Sequence, residues 1–349
     1  MRRPPDLAGD AISLKRKVAA LRDPGTYDRP PRHVVAVETH MAWVFLTDDR
    51  AFKLKKPVRT RFLDFSTPAA RRRDCEREVA LNRPLAGSVY RRVAPLTSGP
   101  RGELRVGGEG TTAEGTTAEE TIIDWLVEMR RLPASESLAA RIAERRVRRR
   151  EVERAIEWLA RFYDAAIAEP LTGPDYRWRL AREIRSARDE LCAPRYAMPR
   201  ELVEGIAARR LDELETEGDL FEARARAGRV VDAHGDLRPE HVFLRPVPVI
   251  IDCLEFNREL RLLDPISELA FLSLECERMG AGWIGGVASA TYRSLSGDAP
   301  AARLARFYRA THALTRAVIA LRHLDEPART DGAQFRGKAL AYLELADGA

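Results

Sequence analysis

Strand-like segments in this 349-residue chain are confined to its first 130 residues and to one short block at 230–256. His33 to Glu38, Ala42 to Thr47 and Ala51 to Lys56 are rich in Val, Trp and Phe. Asp48-Asp49-Arg50 turns the second into the third, and Pro57 stops it. Arg92 to Leu96, Leu104 to Val106 and Thr121 to Met129 continue the series. Residues 11–22 read as a short amphipathic helix ended by Asp23-Pro24-Gly25. Thr67 to Leu85 reads as a second helix, with Thr67 as N-cap and Pro68 at its first position. From Ser135 onward the pattern is helical apart from the 230–256 block. Strands gathered at one end and helices at the other define an α+β chain, with a small β-rich part followed by a larger helical one.

Composition narrows the class. A chain of 39.2 kDa is too long for one ordinary core and suits two compact units. Hydrophobic residues make up 45%, enough to fill such cores, which excludes wholesale disorder. The 59 basic and 53 acidic side chains leave a net charge of only +6, too small for a histone-like chemistry. No apolar run approaches the roughly 20 residues needed to span a bilayer, and no apolar segment follows the basic start Met1-Arg2-Arg3-Pro4-Pro5. Cys75, Cys192, Cys253 and Cys276 are widely spaced and form no CxxC pair, which argues against a disulfide framework or a cysteine zinc site. The expectation is a cytoplasmic protein that binds neither nucleic acid nor membrane.

Lysine is scarce here, and its placement is informative. Only Lys15, Lys17, Lys53, Lys55, Lys56 and Lys338 occur, and three of these six lie in Lys53-Leu54-Lys55-Lys56. Where arginine is the default cation, such a cluster marks a place for a compact point charge, with phosphate the obvious partner. Lys53 and Lys55 alternate on a strand and share one face, while Lys56 points to the other.

The sharpest segment is Val231-Asp232-Ala233-His234-Gly235-Asp236-Leu237-Arg238-Pro239-Glu240-His241, followed by Val249-Ile250-Ile251-Asp252. An apolar strand delivers His-Gly-Asp into a loop, and a second buried strand ends in another aspartate. One carboxylate can accept a proton while the other holds a divalent cation against phosphate oxygens.

HGDLRPEH followed by IID resembles the catalytic and metal-binding loops of the aminoglycoside phosphotransferase family, small-molecule kinases with a bilobal protein-kinase-like fold. Four more segments match in order. They are the lysine strand, Cys75-Glu76-Arg77-Glu78-Val79-Ala80-Leu81, the hinge-like stretch Asp124 to Pro133, and Leu263-Asp264-Pro265-Ile266-Ser267-Glu268-Leu269-Ala270. Glu-Thr-His-x-x-Trp-Val-Phe-Leu is similar to an uncharacterised branch of that family. Many members of the branch carry a second, Walker-type ATP-binding domain, whereas no GxxxxGK[ST] occurs here.

The resemblance implies an N-terminal helical extension at 1–30, a β-rich N-lobe at 31–130 and a helical C-lobe at 131–349. It implies an ATP- and Mg²⁺-dependent kinase, with Mn²⁺ as an alternative to Mg²⁺, phosphorylating a hydroxyl of a small polar molecule, amine-bearing molecules included. Asp236 is the implied catalytic base. Lys55, or else Lys53, anchors phosphates with Glu78. Thr39 sits where a glycine-rich loop is missing. Backbone groups of Glu128, Met129 and Arg130 hold adenine, and Asp252 with His241 holds the metal. His241 replaces the family's usual asparagine. Glu255, Asn257 and Glu259 are candidates to line a cation-preferring pocket. Asp264 and Glu268 are assigned to tying the catalytic loop to the helix below it. The alternative is a non-catalytic nucleotide-binding or regulatory module of the same fold.

Two features carry less. The tandem Gly-Thr-Thr-Ala-Glu at 110–114 and 115–119 suits a variable hairpin tip. Arg145 to Arg150 reads as the solvated face of a helix, flanked by Glu144, Glu151 and Glu153.

Overall fold

A computed structural model describes residues 12–59, 63–108, 120–325 and 332–348. The basic start and the tandem repeat lie outside the described residues. Two compact units divide the chain: Met1–Ala134 with Val249–Arg258, and Ser135–Pro248 with Glu259–Ala349.

The first unit opens with α1 (Leu14–Leu21), whose N-cap Ser13 accepts the Arg16 N–H. Strands β1 (Val35–Glu38), β2 (Ala42–Leu46) and β3 (Arg50–Lys55) follow, then α2 (Pro68–Ala86) and strands β4 (Tyr90–Ser98), β5 (Leu104–Val106) and β6 (Thr121–Arg130). The six strands form one sheet in the order β1-β2-β3-β6-β4-β5, antiparallel throughout. Because side chains alternate along a strand, β3 sends Phe52 and Leu54 to one face and Lys53 and Lys55 to the other. The apolar face meets α1: Val18 and Leu21 share a core with Phe45, Phe52, Leu54, Leu96 and Leu126. The N-terminal helix is therefore integral to the sheet unit, and its buried Lys17 ion-pairs with Asp124 at 2.7 Å.

Helix α2 begins as expected, with the Thr67 hydroxyl accepting the Ala70 N–H and Pro68 in the first turn. Beside Cys75, Val79, Leu85 and Ala86, its buried side carries a polar row. Arg71, Asp74, Glu78 and Asn82 follow one another at spacings of three, four and four, which is one helical face. Arg71 makes a bidentate pair with Asp124 at 2.7 and 2.8 Å, so the stretch expected to be a hinge is anchored inside the sheet.

The second unit is helical: α3 (Leu138–Ala143), α4 (Arg149–Ala165), α5 (Gly173–Leu191), α6 (Arg200–Thr216) and α7 (Gly218–Arg226) precede the short strands β7 (Val231–Asp232) and β8 (Val242–Phe243). The chain then gives β9 (Val249–Ile250) and residues up to Arg258 to the first unit. It resumes with β10 (Leu262–Leu263), α8 (Pro265–Arg278), α9 (Trp283–Ser296), α10 (Ala302–Arg322) and α11 (Gly332–Asp347). β10 pairs antiparallel with β7 and closes the base of the loop that carries Asp236. The arginine run straddles a helix break instead of lying within one helix. Arg145 takes a left-handed conformation (φ 53°) after α3, and α4 starts at Arg149, which pairs with Glu153 at 2.8 Å. Among the described residues no helix is long and apolar enough to cross a membrane.

Candidate functional site

In the first unit two lysines and four carboxylates converge. Lys53 Nζ lies 2.9 Å from Glu78 Oε1 and 2.8 Å from Asp252 Oδ1. Lys55 Nζ lies 2.6 Å from Glu78 Oε2 and 2.7 Å from Asp74 Oδ2, and it also pairs with Glu255. Glu78 thus holds one lysine on each oxygen. The two lysines differ in access: the Lys55 side chain is 1% exposed and that of Lys53 15%. Burial alone would lower both ammonium pKa values, but the surrounding carboxylates outweigh it and hold both above the ordinary lysine value. Glu255 goes the other way. Burial pushes its carboxyl up to about 7, and the nearby Glu78 and Asp74 add to this against the pull of Lys55.

Asp252 follows β9 in a left-handed backbone conformation, φ 64°. Aspartate tolerates that region better than most residues, yet it is strained, and such strain persists where the surroundings impose it. Here they do. The Asp252 N–H donates to the Tyr90 hydroxyl at 3.1 Å, and the next N–H, of Cys253, donates to Asn82 Oδ1 at 2.9 Å. Asn82 Nδ2 in turn donates to the Glu78 carbonyl. Helix α2 and strand β4 therefore set both the Lys53 ammonium and the Asp252 loop. The Asp252 side chain is 41% exposed. A partly exposed carboxylate on a fixed backbone suits magnesium, which takes one or two protein carboxylates and completes its shell with water and phosphate oxygens.

In the second unit, Asp236 sits on a loop pinned at several points. Gly235 has φ 85°, which a side chain would resist. The Gly235 and His234 N–H groups donate to the two oxygens of buried Glu268, at 2.5 and 3.1 Å, and the Tyr163 hydroxyl donates to Glu268 Oε2 at 2.7 Å. Asp264 caps α8 through the Ile266 N–H and accepts a bidentate pair from Arg224 at 2.6 and 2.9 Å. Of the two acidic residues assigned to tying the loop to the helix below it, Glu268 bonds the loop directly, whereas Asp264 bonds the start of α8 and Arg224 of α7. The Asp236 N–H donates to His234 Nδ1 at 3.2 Å, and Arg238 Nε lies 3.3 Å from Asp236 Oδ2.

His241 is part of this scaffold. Arginine can only donate, so Arg238 Nη2 gives its hydrogen to His241 Nε2 at 3.1 Å. The proton then sits on Nδ1, which donates to the Asp236 carbonyl at 2.8 Å. Both ring nitrogens are engaged within the loop, and metal ligation by His241 would require breaking one of these bonds.

The other expected residues fall as follows. The Thr39 hydroxyl donates to the Ala42 carbonyl and accepts the Ala42 N–H, closing the β1–β2 turn on itself; the expected donation from this hydroxyl to phosphate is already spent. Glu128 and Met129 have strand partners on both sides, and Arg130 pairs only with Arg50, so the backbone open on one flank begins at Arg130. The Glu128 side chain is buried against Arg92 at 2.8 Å and Arg91 at 3.3 Å. Lys56 pairs with Glu38, away from Lys53 and Lys55. Glu255 is bound to Lys55 in the first unit, and Glu259 pairs with Arg182 in the second. Sequence reasoning assigned no role to Asp74, Asn82, Tyr90 and Tyr163. For Asp74 and Asn82 a signal existed: both lie on the helical face that carries Glu78.

His312, on α10, stacks on Phe271 at 4.9 Å and hydrogen-bonds Ser267 at 2.9 Å. Burial lowers its pKa to about 4, with nearby Arg316 adding to the effect. A depressed pKa means that the unfolded chain binds the proton better. Stability is therefore held above pH 6.5 and lost as pH falls through about 4, amounting to about 3 kcal/mol over that window. Urea midpoints of the helical unit should fall across this range, and His312→Gln should flatten the slope. An unchanged slope in that variant would assign the pH dependence elsewhere.

An antiparallel sheet carrying a lysine strand against a glutamate-bearing helix, with a helical unit bearing a His-Gly-Asp loop, is the arrangement of protein-kinase-like folds. Solved structures agree. The GDP complex of wild-type aminoglycoside 2'-phosphotransferase-IIIa is similar at a TM-score of 0.52 and 15% identity, covering 92% of this chain and 94% of that one. Choline kinase from Cryptosporidium parvum Iowa II is similar at a TM-score of 0.51 and 11% identity, covering 90% and 88%. The chain has the protein-kinase-like fold, as expected from its motifs. No protein-family model matches the chain. Uncharacterised proteins of Mycobacterium tuberculosis and Mycobacterium bovis are each 34% identical over 288 residues, 81% of this chain and 53% of theirs. The chain spans about half the length of the curated relatives it matches.

Proposed function

We propose that this chain is a small-molecule kinase that transfers the γ-phosphoryl group of ATP to a hydroxyl of a small polar acceptor. The observation that carries this reading is Lys53, whose ammonium is shared by a buried helix carboxylate and by an aspartate in a strained backbone conformation. A purely structural ion pair needs no such strain. Lys53, the more accessible of the two lysines, holds the α/β-phosphate oxygens, and Glu78 keeps it in place. Lys55, the preference from sequence, is enclosed by three carboxylates and serves as the support beneath it. Asp252 is the oxygen ligand for magnesium, and His241 holds the loop. The bound cation would supply neutralisation of phosphate charge. Asp236 orients the acceptor hydroxyl and takes its proton, a role that suits a carboxylate on a fixed loop.

The likeness to two small-molecule phosphotransferases, one solved with GDP, supports this reading at the level of fold. The direct test is phosphate transfer from ATP to a panel of aminoglycosides, amino sugars, choline-like alcohols and hydroxy acids, in the presence of magnesium. Transfer to at least one acceptor is expected. If the chain binds ATP yet neither transfers phosphate to any acceptor nor hydrolyses ATP, it is a non-catalytic nucleotide-binding module.

A further inference from the structure

Lys338, on α11, is the only lysine beyond residue 56. It forms no hydrogen bond or ion pair among the described residues. One turn further along α11, on the same helical face, Tyr342 lies beneath the guanidinium groups of Arg278 and Arg316 at 5.7 and 5.8 Å. These two, with Arg238 and Glu275, are the charged groups that act on Lys338, three cations and one carboxylate. That carboxylate is already taken. Glu275 lies 3.1 Å from Arg316 Nε and 3.4 Å from Arg278 Nε, and it accepts the Tyr342 hydroxyl at 2.7 Å. Partial burial and the three arginines together hold the Lys338 ammonium below its ordinary pKa. A cation in a positive field without a partner of its own is a place where an anion binds favourably.

The cluster reaches the proposed catalytic aspartate. Arg238 contacts Asp236 Oδ2 at 3.3 Å, and Arg316 lies within electrostatic range of the same carboxylate. Of the two carboxylates that the sequence offered for a cation-preferring pocket, Glu255 is bound to Lys55 and Glu259 pairs with Arg182.

We propose that Lys338, with Arg238 and Arg316, binds an anionic group of the acceptor beside Asp236, so that the substrate is an acidic alcohol bearing a carboxylate or a phosphate. The binding site stands on the cluster itself; its role in orienting an acceptor rests on the kinase reading above. Charge-assisted hydrogen bonds from lysine and arginine to such oxygens are strong enough to fix an acceptor's orientation.

The test titrates the full chain by calorimetry with inorganic phosphate and, separately, with malonate, without nucleotide. Saturable binding of one or both is expected, and the tighter of the two tells phosphate from carboxylate. Lys338→Gln should weaken that binding by about tenfold, as expected for one lost charge-assisted contact. Lys15→Gln, at an exposed position of α1, should not change it. Equal binding by wild type and Lys338→Gln, or no binding of either anion at millimolar concentration, overturns the proposal. With ATP and hydroxy acids or phosphorylated alcohols as acceptors, Lys338→Gln should raise KM and leave kcat nearly unchanged. Transfer to acidic alcohols that is indifferent to Lys338→Gln removes the anion site and leaves the kinase reading standing. Lys338-dependent anion binding with no phosphotransfer to any acceptor does the reverse.

Discussion

Asp236→Asn is expected to leave nucleotide affinity close to that of the wild type while lowering phosphotransfer by a factor of about 10² or more, the usual range for loss of a general base. The substitution keeps the shape of the side chain and removes its charge and basicity. The loop should hold, because its anchors are the Gly235 and Asp236 N–H groups and the Asp236 carbonyl, none of which the substitution touches. Thermal midpoints should therefore match those of the wild type. Asp252→Asn is expected to act differently, weakening magnesium-dependent nucleotide binding itself. Turnover and nucleotide calorimetry on both variants would separate the two roles. Full phosphotransfer by Asp236→Asn to an identified acceptor would remove it from the chemistry.

Lys55→Met should cost about 3–5 kcal/mol of stability in the sheet unit, the usual penalty for leaving buried charge without its partner. Lys55 is enclosed by Asp74, Glu78 and Glu255, and without it Lys53 remains beside Glu78 and Arg77 lies 4.0 Å from Asp74. Adding Glu255→Gln should restore part of the loss, since it removes one of the stranded carboxylates. Lys53→Met is expected to show the opposite pattern, with a small stability change but nucleotide affinity lowered by an order of magnitude or more, about 1.4 kcal/mol for each tenfold. Urea denaturation followed through Trp43 and Trp125, both in the sheet unit, would report the first effect, and nucleotide titration the second. If Lys55→Met unfolds no more readily than wild type and loses nucleotide binding as Lys53→Met does, Lys55 is the anchor after all.

Much of this was legible before any coordinates. Thr67 and Pro68 mark the start of α2 because capping chemistry is local. The common face of Lys53 and Lys55 follows from the two-residue repeat of a strand, and both meet Glu78. Other features resisted for identifiable reasons. Helix α2 buries a polar row, so a search for apolar periodicity passes over Asp74 and Asn82. The Thr39 hydroxyl is spent on its own turn, and the proton on His241 is placed by an arginine three residues earlier.

The sequence by itself determined the strands of the first 130 residues and the helical character of the rest, the side chains that share a face, and the two aspartates proposed for phosphoryl chemistry. These are set by repeats of two and 3.6 residues and by short motifs, all of which act over a few positions. Only the tertiary structure decided which lysine meets Asp252 and which is enclosed by Glu255. Those partners are 199 and 200 residues apart, and no local periodicity spans such a distance. Lys338 is the same case: its surroundings come from α8, α10 and the Asp236 loop, brought together only by packing.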